Sequence, residues 1–218
     1  MEYLQNIKHV GFDLDQTLYP KSPEIDNAIQ QYINKLIAEK LKCSIDEAQQ
    51  KFLSYYPKIS GRKTLIALGF PPYEAESIIQ EALEDCDITP FLTPNPEILD
   101  LLQECKKKFM SISLITGSSE SCARDKLKSL NIPVNLFDCF ITGEISKSDG
   151  TAFRKWMQYF GNDDPCTFIY IGDRKVTDVQ VPLSLGMQAI LVYVQKEDPN
   201  LSCPQLSHVL DVRSLLLK

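Results

Sequence analysis

Five short apolar runs, rich in β-branched and aromatic residues, recur along the chain. They are residues 9–13, 111–116, 137–142, 167–172 and 188–194. Short runs that are apolar throughout are typical of strands buried on both faces of a parallel sheet. The pattern therefore predicts five core strands, and residues 207–211 form a further candidate strand.

Helical patterns lie between the later strands. We interpret residues 94–105, 119–130, 151–160 and 175–185 as helices. Strands that alternate with helices favour a parallel sheet with right-handed crossovers. The predicted fold class is therefore α/β, with a Rossmann-like parallel sheet whose ligands bind at the carboxyl ends of the strands.

The segment that follows the first strand has a different pattern. Isoleucines at helical spacing from Ile25 to Ile33 share one face of a helix. Ser44 and Glu47 have the spacing of a capping box, which indicates the start of a second helix. The predicted domains are an α/β core, residues 1–20 and 92–218, and an inserted all-helical cap, residues 21–91.

Composition narrows the function classes. Hydrophobic residues make up 44% of the 218 residues, which is enough for a sizeable core. No apolar run approaches the ~20 residues of a membrane span. The first residues lack the apolar centre of a secretory signal, so we expect a cytoplasmic protein without a membrane partner. The net charge of −6 argues against a nucleic acid polymer as partner. We expect a monomer or a small homo-oligomer.

Cysteine and histidine usage excludes two kinds of site. The seven cysteines are odd in number, widely spaced and without a CxxC pair, so a zinc site or disulfide framework is not expected. We interpret them as reduced, mostly buried thiols. The only histidines, His9 and His208, flank apolar segments near the chain ends, which favours packing or surface roles over catalysis.

Carboxylates follow two of the predicted strands. Asp13 and Asp15 come directly after the first, and Asp173 follows the fourth, with Asp178 five residues later. Strand ends meet at one edge of a parallel sheet, so Asp13, Asp15 and Asp173 can converge. Carboxylates that lie close together repel one another unless a cation or a shared proton lies between them. Three carboxylates without histidine suit Mg²⁺ better than zinc.

Two further segments lie where a phosphate group would need donors. Thr116, Gly117 and Ser118 follow the second strand and precede a helix, so they offer hydroxyl and backbone N–H groups to an anion. Ordinary N-capping by Ser118 or Ser119 is the alternative. Lys147 lies in the loop after the third strand, where a lone lysine is usually only solvated.

Together, these four segments resemble the haloacid dehalogenase-like hydrolase superfamily. Its signature is Asp-x-Asp-x-Thr, then a strand-end Thr or Ser, then Lys, then Gly-Asp-x4-Asp. The matching residues here are Asp13, Asp15, Thr17, Thr116, Lys147, Asp173 and Asp178. All four motifs in order, over the whole chain, are far more specific than any one of them.

The resemblance implies a role for each residue in a phosphatase that acts on a small phosphate ester. Asp13 would be the nucleophile, and Asp15 would protonate the leaving oxygen, which requires a raised pKa. Mg²⁺ would be held by Asp13, Asp173 and the backbone carbonyl of Asp15. The phosphate-binding residues would be Thr116, Gly117, Ser118 and Lys147. Thr17 and Asp178 would support the site from behind, Asp178 by orienting Lys147.

Asp15, the second acid of the first motif, also distinguishes branches of the superfamily. Branches that displace halide lack the residue matching Asp15, so the resemblance implies phosphate esters as substrates. The helical insert is similar to a C1-type cap. The runs at 18–22, 55–56 and 64–68 resemble the pyrimidine 5'-nucleotidase branch, although Gly117 and Ser148 depart from its pattern. The substrate that this resemblance implies is a nucleoside 5'-monophosphate. The alternatives are a sugar-phosphate or phosphoglycolate phosphatase, or a catalytically silent binding or regulatory domain.

Overall fold

The computed structural model describes residues 6–56, 58–161 and 164–217 of the chain. The fold divides into two compact units. The first contains the residues up to Pro20 and those from Leu92 onward, and the second is Lys21–Phe91. Within the described ranges, no helix is both long enough and apolar enough to cross a membrane.

The first unit is built on a sheet in which each neighbouring pair of strands is parallel. Its strands are β1 His9–Phe12, β2 Ser111–Ile115, β3 Cys139–Ile141, β4 Phe168–Gly172 and β5 Gln188–Leu191. Their spatial order is β3-β2-β1-β4-β5, with β1 at the centre. Almost every strand residue is buried, as expected for a sheet covered on both faces. The predicted α/β fold with a parallel sheet is confirmed.

The strand register brings the predicted site residues to one edge. Phe12, the last residue of β1, pairs with Leu114 of β2 and with Ile171 of β4. All three strands therefore end at nearly the same position along the edge of the sheet. Asp13 and Asp173 emerge there as direct continuations of the strand ends.

The second unit, Lys21–Phe91, is helical. Its helices are α1 Pro23–Leu41, α2 Ile45–Leu53, α3 Gly61–Ala67 and α4 Pro72–Asp85, and a 3₁₀ turn follows at Thr89–Phe91. The predicted capping box begins α2, since Ser44 and Glu47 each bond to the other's backbone N–H. The buried faces of these helices enclose an apolar core of their own, around Ile37, Phe52 and Ile78.

Of the helices of the first unit, the first three lie close to their predicted positions, and the last was not predicted. These helices are α5 Pro96–Lys108, α6 Glu120–Ser129, α7 Thr151–Tyr159, α8 Val181–Ser184 and α9 Val212–Leu216. The region predicted as one helix at 175–185 instead begins as a π-helix, Lys175–Gln180, before α8. Single π-helical turns are uncommon and often occur at functional sites.

The candidate strand at 207–211 is wrong. His208 accepts a hydrogen bond from the N–H of Leu210 and begins a 3₁₀ turn at Val209–Asp211. The chain instead meets the sheet earlier, where Gln205 forms an isolated parallel bridge with Leu191. A capped turn that contains two apolar residues, of which Val209 is buried, gives the same local pattern as a short strand, which explains the error.

Close packing of α7 against the sheet fixes the loop that precedes this helix. Trp156 is fully buried, and its indole N–H donates to the Ser113 hydroxyl at 2.8 Å. A Cβ added to Gly11 would lie 2.7 Å from the Trp156 ring, so this position of β1 requires glycine. The helix is therefore seated directly on the central strands, and the β3–α7 loop that carries Lys147 is held with it.

Candidate active site

Asp13 continues β1 into the site. Its N–H donates to the Ile171 carbonyl at 2.9 Å, so the backbone is still paired with β4 at this point. The side chain is 5% exposed. One carboxylate oxygen accepts from Lys147 at 2.7 Å and the other from the Thr17 hydroxyl at 3.3 Å. The carboxylate is thereby fixed in direction at the edge of the sheet.

Lys147 reaches Asp13 from the loop after β3. Its ammonium lies 2.9 Å from Asp178 and 3.2 Å from the Tyr170 hydroxyl, in addition to its contact with Asp13. Burial lowers the pKa of Lys147, but the two carboxylates outweigh this and raise it above its ordinary value. Burial raises the pKa of Asp13 to about 7, with Lys147 opposing the rise and Asp178 adding to it.

Asp178 is placed by the π-helix after β4. One carboxylate oxygen accepts from Lys147, and the other accepts from the backbone N–H of Arg174 at 2.9 Å. The carboxylate packs so closely on β4 that a Cβ added to Gly172 would lie 2.5 Å from it. The glycine of the Gly-Asp pair is therefore needed for the approach of Asp178, which is fully buried.

Three of the acids form a cluster with the geometry of a metal site. One carboxylate oxygen from each of Asp13, Asp173 and Asp178 lies within 4.8 Å of the other two. An all-oxygen donor set of this kind fits a hard divalent cation such as Mg²⁺. Asp178 joins the predicted ligands Asp13 and Asp173, whereas the side chain of Asp15 points elsewhere.

Asp15 accepts hydrogen bonds from four side chains. One of its oxygens accepts from the Tyr19 hydroxyl and the Lys126 ammonium, each at 2.6 Å. The other accepts from the hydroxyls of Ser118 at 2.6 Å and Thr116 at 3.3 Å. The carboxylate therefore lies beside the β2–α6 loop.

This environment opposes the sequence-based expectation for Asp15. Burial favours the neutral acid, but the charge of Lys126 and the hydrogen bonds from Lys126, Ser118 and Tyr19 outweigh it and hold the pKa of Asp15 below its ordinary value. Protonation of a leaving group was expected to require a raised pKa. The sequence-based expectation that Asp15 has a raised pKa is therefore wrong for this arrangement of the site, because the buried ammonium of Lys126 stabilises the Asp15 carboxylate.

The residues predicted to bind phosphate line the same loop. The Thr116 hydroxyl accepts from the Ser118 N–H at 3.1 Å and donates to Asp15, as does the Ser118 hydroxyl. Gly117 is exposed, and a Cβ there would meet no atom within 4 Å. Gly143, just beyond β3, supports the loop by donating its N–H to the Ser118 carbonyl at 2.7 Å. Ser119 is the N-cap of α6, as the alternative interpretation expected.

Two residues of the site were missed by sequence reasoning. Lys126 lies on the buried face of α6 with Ala123 and Leu127, where a lysine among apolar positions is a detectable signal of a buried acidic partner. Tyr170 lies inside β4, and its hydroxyl donates to the Ile115 carbonyl while contacting Lys147. A buried tyrosine in a strand carries no comparable signal in the sequence.

Comparison with known proteins gives one family. The profile of the haloacid dehalogenase-like hydrolases matches residues 7–186. The chain is also similar to glyceraldehyde 3-phosphate phosphatase of Methanocaldococcus jannaschii. The two are 26% identical over 210 residues, which cover 90% of this chain and 91% of the relative.

Solved structures share the fold at lower identity. A HAD phosphatase from Thermococcus onnurineus has a TM-score of 0.65 at 22% identity, over 96% of this chain and 98% of its own. YfnB of Bacillus subtilis, in a crystal structure bound to magnesium, has a TM-score of 0.59 at 14% identity, over 97% and 99%. Because the family profile covers most of its length, this chain belongs to the haloacid dehalogenase-like hydrolase family.

Proposed function

We propose that the protein is a phosphatase that hydrolyses a small phosphate ester through a phosphorylated Asp13. The observation that carries the proposal is the contact of the Lys147 ammonium with both Asp13 and Asp178, at the edge where three strands end. A fixed carboxylate beside a buried cation is suited to attack an anionic phosphoryl group, because the cation offsets the repulsion between the two anions.

The reaction would proceed in two displacements. A carboxylate oxygen of Asp13 attacks phosphorus, the bond to the leaving oxygen breaks, and Asp15 supplies the proton that makes the leaving group an alcohol. Water then attacks phosphorus of the acyl phosphate and gives a proton to Asp15. Inorganic phosphate leaves and the Asp13 carboxylate is restored.

The phosphoryl oxygens would be bound by Lys147 and by the β2–α6 loop. In the present arrangement the hydroxyls of Thr116 and Ser118 donate to Asp15. We expect a bound phosphoryl group to take over these donors together with the N–H groups around Gly117. Asp15 would then be released from two of its hydrogen bonds as the substrate enters.

The acid cluster suits Mg²⁺ as the cofactor. Asp13 and Asp173 would hold the ion with the backbone carbonyl of Asp15, and Asp178 lies close enough to support it. The bound ion would neutralise charge on the phosphoryl oxygens during transfer. Lys147 and Thr17 would keep the attacking oxygen of Asp13 directed towards phosphorus.

Two substrate classes remain candidates. The similarity to glyceraldehyde 3-phosphate phosphatase favours a small sugar phosphate. The likeness of residues 18–22, 55–56 and 64–68 to the pyrimidine 5'-nucleotidase branch favours a nucleoside 5'-monophosphate. We rank the sugar phosphate first, because that similarity extends over most of the chain whereas the second rests on three short runs.

The experiment that tests the proposal is phosphate release from a panel of esters in the presence of Mg²⁺. The panel contains triose and hexose phosphates, phosphoglycolate, and pyrimidine and purine monophosphates. We expect release by the wild type and by Asp100→Asn, a matched change at an exposed aspartate, and none by Asp13→Asn. Turnover by Asp13→Asn would contradict the mechanism. No release from any ester by the wild type would favour a silent binding domain.

A further inference from the structure

Lys126 is a buried cation that the reaction described above does not use. Its side chain is 3% exposed, on the inner face of α6. The ammonium lies 2.6 Å from the Asp15 carboxylate and 2.9 Å from the Ser118 hydroxyl. Burying a lysine costs several kcal/mol unless it is paired, so a neutral residue would serve packing better at this position.

The hydrogen bonds of Lys126 to Asp15 and Ser118 converge on one group, the Asp15 carboxylate. Lys126 and Tyr19 bind the same oxygen of Asp15, and Ser118, itself in contact with Lys126, binds the other. Both carboxylate oxygens are therefore fixed, and the side-chain torsions of Asp15 are restrained from several directions. The restraint acts on the one side chain of the site that must move a proton.

A serine–lysine pair at 2.9 Å could instead be a nucleophile with its base. The geometry argues against this reading, because the Ser118 hydroxyl already donates to Asp15. Lys126 is itself engaged as a charged donor to the Asp15 carboxylate, so it has no free electron pair to take a proton from Ser118. The pair therefore acts on Asp15.

We propose that Lys126 is a positioning residue for Asp15, which sets the direction of that carboxylate for proton transfer to and from the reacting oxygens. The inference rests on the proposed function, in which Asp15 protonates the leaving group. It assigns to α6 a part in the chemistry beyond its role in packing. A residue that acts in this way influences only those steps that need Asp15.

The leaving group separates this role from a structural one. An alkoxide needs a proton in order to leave, whereas p-nitrophenolate is a stable anion and leaves without one. We expect Lys126→Met to lower the rate of acyl phosphate formation, followed in the pre-steady state, by roughly ten- to a hundredfold on an alkyl ester such as a triose phosphate. On p-nitrophenyl phosphate the loss in this rate should be only about twofold. Hydrolysis of the acyl phosphate, in which Asp15 takes a proton from water, is the same for both esters and is kept out of the comparison. Lys128→Met, at an exposed lysine of the same helix, should leave both rates unchanged.

A double-mutant cycle tests whether Lys126 acts through Asp15. Asp15→Asn should show the same dependence on the leaving group with a larger loss. Lys126→Met introduced into Asp15→Asn should then lower the rate no further, since its target is already gone. Equal losses in the rate of acyl phosphate formation on both esters, or losses in that rate that multiply in the double variant, would overturn the inference and indicate a structural role.

Two additional variants keep the inference testable if Lys126→Met does not fold. Lys126→Gln retains a hydrogen-bond donor of similar length without the charge. Tyr19→Phe removes the other donor to the oxygen of Asp15 that Lys126 contacts. Each variant should show the leaving-group dependence in weaker form. If Asp15→Asn slows acyl phosphate formation equally on both esters, the proposed function itself fails. If Asp15→Asn behaves as expected while the Lys126 and Tyr19 variants do not, only the inference fails.

Discussion

The Lys147 ammonium lies 2.7 Å from Asp13 and 2.9 Å from Asp178, so one buried cation joins the end of β1 to the π-helix after β4. The two acids are separated by 165 positions in the chain, and the lysine comes from a third segment. None of these three charges could be buried alone at an acceptable cost. The cation that is proposed to bind phosphate therefore also holds the site together.

Loss of this cation should destabilise the fold. Lys147→Met leaves Asp13 and Asp178 buried without their common partner, so we expect the free energy of unfolding to fall by about 3 kcal/mol. Urea denaturation at neutral pH measures the change. Lys175→Met, at an exposed lysine paired with Asp198, should alter stability by less than about 1 kcal/mol.

The shared role of Lys147 can be checked with a second substitution. Adding Asp178→Asn to Lys147→Met removes one of the two uncompensated acids, so part of the lost stability should return. If the two substitutions instead destabilise the protein additively, the ion pairs do not balance one another in the way described.

The approach of Asp178 to β4 gives another prediction. Gly172→Ala places a methyl group 2.5 Å from the Asp178 carboxylate, so we expect a loss of about 2 kcal/mol of stability together with displacement of Asp178. Gly117→Ala, where the added methyl group meets no atom within 4 Å, should change stability by less than about 0.5 kcal/mol. Thermal unfolding of both variants provides the comparison, and similar melting temperatures would contradict the packing described.

Metal binding should depend on Asp173. Asp173→Asn replaces a charged ligand by a neutral one, so the Mg²⁺ dissociation constant of the free protein should rise by at least about tenfold. Calorimetric titration measures this without substrate, and Asp100→Asn is the control at an exposed position. Removal of metal with EDTA should stop ester hydrolysis, and added Mg²⁺ should restore it. Unchanged affinity in Asp173→Asn would place the ion elsewhere.

The cysteines should differ sharply in reactivity. Burial raises the pKa of the Cys105 thiol to about 12 and that of Cys139 to about 11, whereas Cys166 is exposed. The thiolate is the reactive form, so iodoacetamide at pH 8 should modify Cys166 at least about tenfold faster than the two buried thiols. Peptide mass spectrometry after timed labelling gives the rates. Early labelling of Cys105 in the folded protein would contradict its burial.

Much of the core could be predicted because its signals are local. The strands are short apolar runs, and an acid directly beyond such a run must lie at the strand end, as Asp13 and Asp173 do. The capping box at Ser44 likewise depends only on neighbouring residues. Periodicity and capping report local conformation well.

The remaining features depend on contacts between distant segments. The pairing of Asp15 with Lys126 joins residues 111 positions apart, and although the apolar neighbours of Lys126 mark it as buried, they do not identify Asp15 as its partner. The π-helix at Lys175–Gln180 carries Asp178, whose contacts with Lys147 and with the N–H of Arg174 also join separate segments. The failed strand at 207–211 shows the converse, because the chain meets β5 earlier, at Gln205, and the local apolar pattern then forms a 3₁₀ turn.

Detection of phosphate bound covalently to Asp13 tests the proposed mechanism most directly. The wild type is mixed with Mg²⁺ and the best ester of the panel, quenched in acid within milliseconds, reduced with borohydride and analysed by peptide mass spectrometry. We expect reduction of the acyl phosphate to convert residue 13 to homoserine, and no conversion in Asp13→Asn. Turnover of the ester without modification of Asp13, or with modification at another residue, would contradict the central claim.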